Sequence, residues 1–184
     1  MNNLGDGWTI AKKHLAGQHD QASHGRRGGG QMGLSDKPTM NEYISAKILG
    51  SAGIDPDTVY FSSGNLPPVP DGHTRIYHKT EPGLVKSIRE RGLLPGKETG
   101  RGERLANVLG VAEGTGGKFG GGGLYAVVDL PSNSFRFINK SWVEFGAIRP
   151  SDITGFLADG LSGSPDQTIR AAIEWQNLYK EASF

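Results

Sequence analysis

The chain has 184 residues, no cysteine, and 20 Lys and Arg against 19 Asp and Glu, a net charge of +1. That length suits one domain with a tail or two very small domains. The missing thiols exclude disulfides, Cys-ligated zinc, iron–sulfur clusters and a thiol nucleophile, and the balanced charge gives no general case for nucleic-acid binding. Glycine contributes 29 residues, roughly 16% against a usual ~7%, so much of the backbone is expected in turns and loops. No apolar run approaches the roughly 18 residues of a spanning helix, and the opening MNNLGDGWTIAKK lacks an apolar signal-peptide core, so no membrane partner is expected.

In chain order, residues 1–37 hold Gly, three of the five His and a scatter of Lys and Arg, with no helical or strand period. Such a segment does not offset its ordering entropy alone, and it reads as a disordered basic tail. Residues 38–72 form a short helix and a connector. The helix is expected over 38–50, capped by Thr39 or Asn41, with Tyr43, Ile44, Ile48 and Leu49 as its apolar side. The turn-rich stretch 51–72 has room for a short strand at Val59–Phe61.

Residues 73–184 are the expected core. Thr74–His78 reads as a strand. Thr80 or Glu81 then caps a helix with Pro82 early in it, Leu84, Val85 and Ile88 buried, Arg89 and Arg91 near its end and Gly92 as its stop. Leu93 and Leu94 dock on the core. A polar, glycine-dense stretch over 96–123 has one short helix at Arg104–Leu109. Strands are expected at Leu124–Val128, Phe135–Ile138 and Trp142–Ile148, then a turn from Ser151. The last helix starts at Ser164, with Pro165 and Gln167 completing a capping box. Ile169, Ala172, Ile173 and Gln176 mark one side of it, with Trp175 and Tyr179 beside them. This order of elements points to α+β with a mixed or antiparallel sheet and flanking helices.

Nucleotide-loop motifs fail on inspection. A phosphate-binding loop ending at Gly117–Lys118 needs glycine where Ala112 stands and Ser or Thr where Phe119 stands; the dinucleotide pattern from Gly114 also breaks at Phe119. His14, His19 and His24 recur every five residues, a step that would not place them on one helix face, and no metal site is expected. Asn139–Ser141 matches a glycosylation acceptor by three residues only.

Two resemblances add to this reading. Lys12–Gly28, KKHLAGQHDQASHGRRG, is similar to a short segment near the ends of proteins encoded in phage and prophage head-gene regions. It implies a phage origin, a head component as partner through residues 12–28, and the bacterial host cytoplasm or the virion as location. A non-enzymatic, virion-associated accessory protein is the corresponding alternative function.

The core resembles the ADP-ribosyltransferase fold in three ordered segments: RIYHKTEPGLVKSIRERGL (Arg75–Leu93), GGGLYAVVD (Gly121–Asp129) and VEFGAIRPSDITG (Val143–Gly155). The resemblance implies transfer of ADP-ribose from NAD, as substrate, to a macromolecular acceptor, protein before nucleic acid. Glu144 matches the family's catalytic glutamate, whose carboxylate stabilises positive charge on the ribose. His78 matches the histidine that hydrogen-bonds the NAD ribose, with Thr80 in the same pocket, and Tyr125 matches a wall of the nicotinamide site. Phe135 or Ser132 stands where one branch carries a stacking tyrosine, and Arg75 lies on the strand where another carries arginine. The pattern departs at Trp142, where a paired Glu-x-Glu would need a second glutamate. The related RNA 2′-phosphotransferase is a third reading, for which Arg75, Arg101 and Arg104 would read phosphates.

Overall fold

A computed structural model of the chain describes residue 34 and residues 37–95, 107–115 and 122–179. The tail expected over 1–37, its histidines, the phage-like segment 12–28, Arg101 and Arg104 lie outside the described residues, save Leu34 and Lys37. The elements run α1 (Met40–Ser51), β1 (His73–Thr80), α2 (Val85–Arg91), β2 (Val108–Ala112), β3 (Gly123–Pro131), β4 (Arg136–Phe137), β5 (Trp142–Phe145), β6 (Ile153–Asp159) and α3 (Pro165–Tyr179). The fold is α+β, and the six strands lie in the order β4-β5-β2-β1-β3-β6. The ladders joining β4 to β5, β5 to β2, β2 to β1 and β1 to β3 are all antiparallel.

The chain divides into two compact units, one up to Leu66 and again from Leu157 on, the other Pro67–Phe156. The segment holding α1 belongs with α3, because their mutual contacts satisfy groups that neither helix satisfies alone.

In the helical unit, Thr39 caps α1 as expected. Its hydroxyl accepts from the Glu42 amide at 3.2 Å, and the Glu42 carboxylate accepts from the Thr39 amide at 2.9 Å. Tyr43, Ala46 and Leu49 are fully buried. The Ser164 capping box of α3 also forms. Its buried face, however, differs from the expected stripe. Ala171 is buried while Ile169 and Ile173 are 58% and 52% exposed. Two residues are about 200° round a helix, so Ala171 and the two isoleucines occupy opposite sides. The inner side is set by polar demand: the Tyr43 hydroxyl donates to Glu174 at 3.0 Å, the Lys47 ammonium lies 2.9 Å from the same carboxylate, and the Trp175 indole donates to the Pro38 carbonyl at 2.8 Å. The strand expected at Val59–Phe61 reduces to a single bridge from Tyr60 to Leu157, because 3₁₀ turns at Pro56–Thr58 and Ser63–Asn65 leave it no length.

In the sheet unit, β1 runs two residues past the expected end. Thr80 therefore belongs to the strand rather than capping a helix, and Glu81 makes no side-chain cap bond. A 3₁₀ turn over Pro82–Leu84 leads into α2, where Val85 and Ile88 are buried but Leu84 is 42% exposed. Gly92 stops α2 at φ +81°, and a Cβ there would sit 1.9 Å from the Ile148 carbonyl oxygen, so the position demands glycine. Leu93 then pairs with Ile148 across two backbone bonds of 2.9 Å, while Leu94 is exposed and does not dock.

Over the described part of the helix expected at Arg104–Leu109, the chain is instead entering β2. Val108, Val111 and Ala112 are buried there, the two valines as suits β-branched residues in a central strand. Gly110 fits between the Ile76 and Phe145 side chains; a Cβ would meet Ile76 at 2.5 Å. The strand expected over Trp142–Ile148 ends at Phe145, and the turn expected from Ser151 becomes a 3₁₀ turn feeding β6.

Candidate functional site

Side chains alternate across a strand, so the ladders sort the candidate residues by face. Tyr77 pairs with Val111 and Val111 with Trp142, which puts Glu144 on the Tyr77 face of the sheet. Lys79 pairs with Tyr125 and Arg75 with Asp129, so Tyr125 and Arg75 share that face. His78 and Thr80 belong to the opposite face. β1 and β2 register over just two pairs, Ile76 with Ala112 and Tyr77 with Val111. Beyond them the His78 ring takes the place of a ladder bond, its Nδ1 donating to the Leu109 carbonyl at 2.7 Å. A bond to a carbonyl oxygen requires the proton on Nδ1.

A cavity of about 610 Å³ opens beside His78, within the roughly 300–1,000 Å³ of small-molecule sites. His78 and Thr80 line it, together with Ser87 of α2 and Asn107 and Leu109 at the start of β2; Ile88, Leu93 and Pro95 give it an apolar wall. The Thr80 hydroxyl is buried without a hydrogen-bond partner among the described residues. A buried, unsatisfied hydroxyl costs free energy, about 1–3 kcal/mol, unless a ligand or water supplies the bond.

Glu144 does not line the cavity but reaches it through one residue. Its carboxylate accepts from Arg136 Nε at 2.6 Å and from the Asn107 side chain, and Asn107 lines the cavity. These two donors, Arg136 first, hold the carboxyl below the usual carboxylate range, so Glu144 is ionised at neutral pH. Leu109, whose carbonyl holds His78, is also the ladder partner of Glu144.

The other expected residues stand apart from the cavity. Arg75 is buried, and its guanidinium takes both oxygens of Asp129 at 2.8 and 2.9 Å and the Pro67 carbonyl. Its Nε and Nη2 donors are committed to the fold. Tyr125 is buried edge-on against Tyr77, with centroids 6.3 Å apart. The Tyr77 hydroxyl donates to Glu113, and burial followed by that carboxylate pushes the Tyr77 phenol well up from its ordinary value. Phe135 stacks edge-on against Phe137 near the sheet edge. The Asn139 side chain accepts from the Ser141 and Trp142 amides, a turn role.

Sequence reasoning missed Asn107 and Ser87. No motif marks either, and Asn107 falls in a stretch read as helix. No cluster of metal-ligating side chains occurs among the described residues. No family model, curated protein or solved structure matches the chain.

Proposed function

We propose that the chain transfers ADP-ribose from NAD to a macromolecular acceptor, protein before nucleic acid. One observation carries the reading: the cavity at the parted ends of β1 and β2 is lined by His78 and by Thr80, whose hydroxyl has no hydrogen-bond partner among the described residues, and is joined through Asn107 to an ionised Glu144. Ribose hydroxyls suit those polar groups, and the flat base of a nucleotide suits the apolar wall of Ile88, Leu93 and Pro95. The three family-like segments supply the choice of NAD.

In this reading the ribose enters between β1 and β2 and Glu144 exchanges Arg136 for the sugar. The bond from ribose C1′ to nicotinamide breaks, and its electron pair leaves with nicotinamide, which departs neutral. Positive charge builds on the ribose, where a nearby carboxylate lowers its energy. A lone pair on the acceptor then forms the new bond to C1′, and the acceptor releases its proton to solvent.

Incubation of the purified chain with NAD labelled in the ADP-ribose moiety, in bacterial lysate, tests this. Transfer of label by the wild type, falling about 10²–10³-fold in Glu144→Gln, is the expected result. Neither label transfer nor nicotinamide release by the wild type would overturn it.

A further inference from the structure

The cavity carries a charge pattern that the proposed chemistry leaves unused. Its ionic lining is Lys79, Glu81 and Arg91, two cations against one carboxylate. Four of the five described arginines of the sheet unit are engaged elsewhere. Arg75 is held by Asp129, Arg136 by Glu144 and Arg149 by Asp152, while Arg89 lies 5.2 Å from the Phe156 ring centroid. Arg91 has no carboxylate, ring or hydrogen-bond partner among the described residues, and it lines the cavity in the last turn of α2. A guanidinium presents a planar fork of N–H donors that matches two phosphate oxygens, and it gains most where no internal anion competes.

We infer that Arg91 receives the phosphate groups of the nucleotide bound in this cavity, so the site recognises NAD by charge at its pyrophosphate as well as by its rings. The inference rests on the reading of the cavity as a nucleotide site. It predicts that the α2 end contributes to binding and that Glu144 acts on the reacting sugar independently of it.

Calorimetric titration of the full chain with NAD at low salt tests this, using Arg91→Gln, Arg91→Lys and Arg89→Gln. Arg91→Gln is expected to weaken binding about tenfold, Arg91→Lys to recover part of the loss, and the Arg91 contribution to shrink as salt is raised. Arg89→Gln, which removes the same charge from the same helix without touching the cavity, is expected to stay within about twofold of wild type. Unchanged binding in Arg91→Gln overturns the inference while leaving the proposed function standing. Equal losses in Arg91→Gln and Arg89→Gln also overturn it, because they reduce the effect to overall charge. A wild type that binds no NAD overturns the proposed function and this inference together.

Discussion

Both units of the chain set a charged side chain against an anion, but they do so differently. In the helical unit the Glu174 carboxylate serves two donors at once, Tyr43 and Lys47, and is itself 45% exposed. In the sheet unit Arg75 and Asp129 are 5% and 9% exposed and meet in two parallel bonds, with Thr154 adding a third to Asp129. The helical arrangement tolerates adjustment, since water shares in it. The sheet arrangement is dry, and the ladder that pairs Arg75 with Asp129 also fixes His78 three residues further along β1. A rigid, fully bonded pair at one end of a strand and an unsatisfied hydroxyl at the other is a sensible division between platform and site.

That contrast can be broken by removing each anion in turn. Asp129→Asn leaves a buried guanidinium without its charge partner and is expected to destabilise the sheet unit by about 3–5 kcal/mol in urea unfolding. Glu174→Gln should cost the helical unit only about 1 kcal/mol, because the amide still accepts a bond and Lys47 has access to water. Equal losses would dissolve the distinction. Gly92→Ala comes next, at about 1–3 kcal/mol from the positive φ alone, with the Ile148 carbonyl adding to it; thermal melts of the variant would show it.

Two pH experiments sharpen the comparison. Burial first, then Glu174 and Glu113 respectively, raise the Tyr43 and Tyr77 phenols well above their ordinary value of about 10. A raised native pKa means stabilisation that is complete below the unfolded value and lost as pH climbs past it. Melting temperature should therefore fall steadily as pH rises above about 10, and replacing either tyrosine by Phe should flatten the fall. For Glu144 the sign is reversed. Its lowered pKa keeps it ionised into acid, so the transfer activity proposed above should persist until pH falls below the usual carboxylate range. Arg136→Ala removes the principal cause, and the acid limb of the pH–rate profile should move up. The smallest effect is expected at Ile169→Lys and Ile173→Lys, within about 0.5 kcal/mol of wild type by chemical denaturation, because both side chains already face water.

What the sequence discloses here is local. Thr39 as one of two candidate caps, Ser164 with Gln167, and Gly92 after Arg91 are signals complete within four residues, and each appears in the structure. The buried side of α3 is not local: Ala171 faces inward because Glu174 answers Tyr43, 131 residues earlier. Strands β2 and β6 are interrupted by Gly110 and Gly155, which weaken the alternating pattern, and Gly110 makes sense only beside Ile76 and Phe145. At the candidate site, the cavity takes in His78 and Thr80 from the segment that names them, but Asn107 enters through a ladder and a side-chain bond that no spacing encodes. Arg75 shows the converse: a cation on the expected strand whose partner, 54 residues away, commits it to structure.

The helical unit is assembled from both ends of the described chain, with the sheet unit between them. On the ribosome this imposes a timetable. At about 5–20 residues per second, Glu174 is synthesised roughly 7–26 seconds after Tyr43, given their separation of 131 positions, whereas Asp129 follows Arg75, 54 positions earlier, by roughly 3–11 seconds. The sheet's ion pair can close while α1 still lacks its partner, leaving the apolar side of Tyr43 and Leu49 available to chaperones until translation nears the last helix.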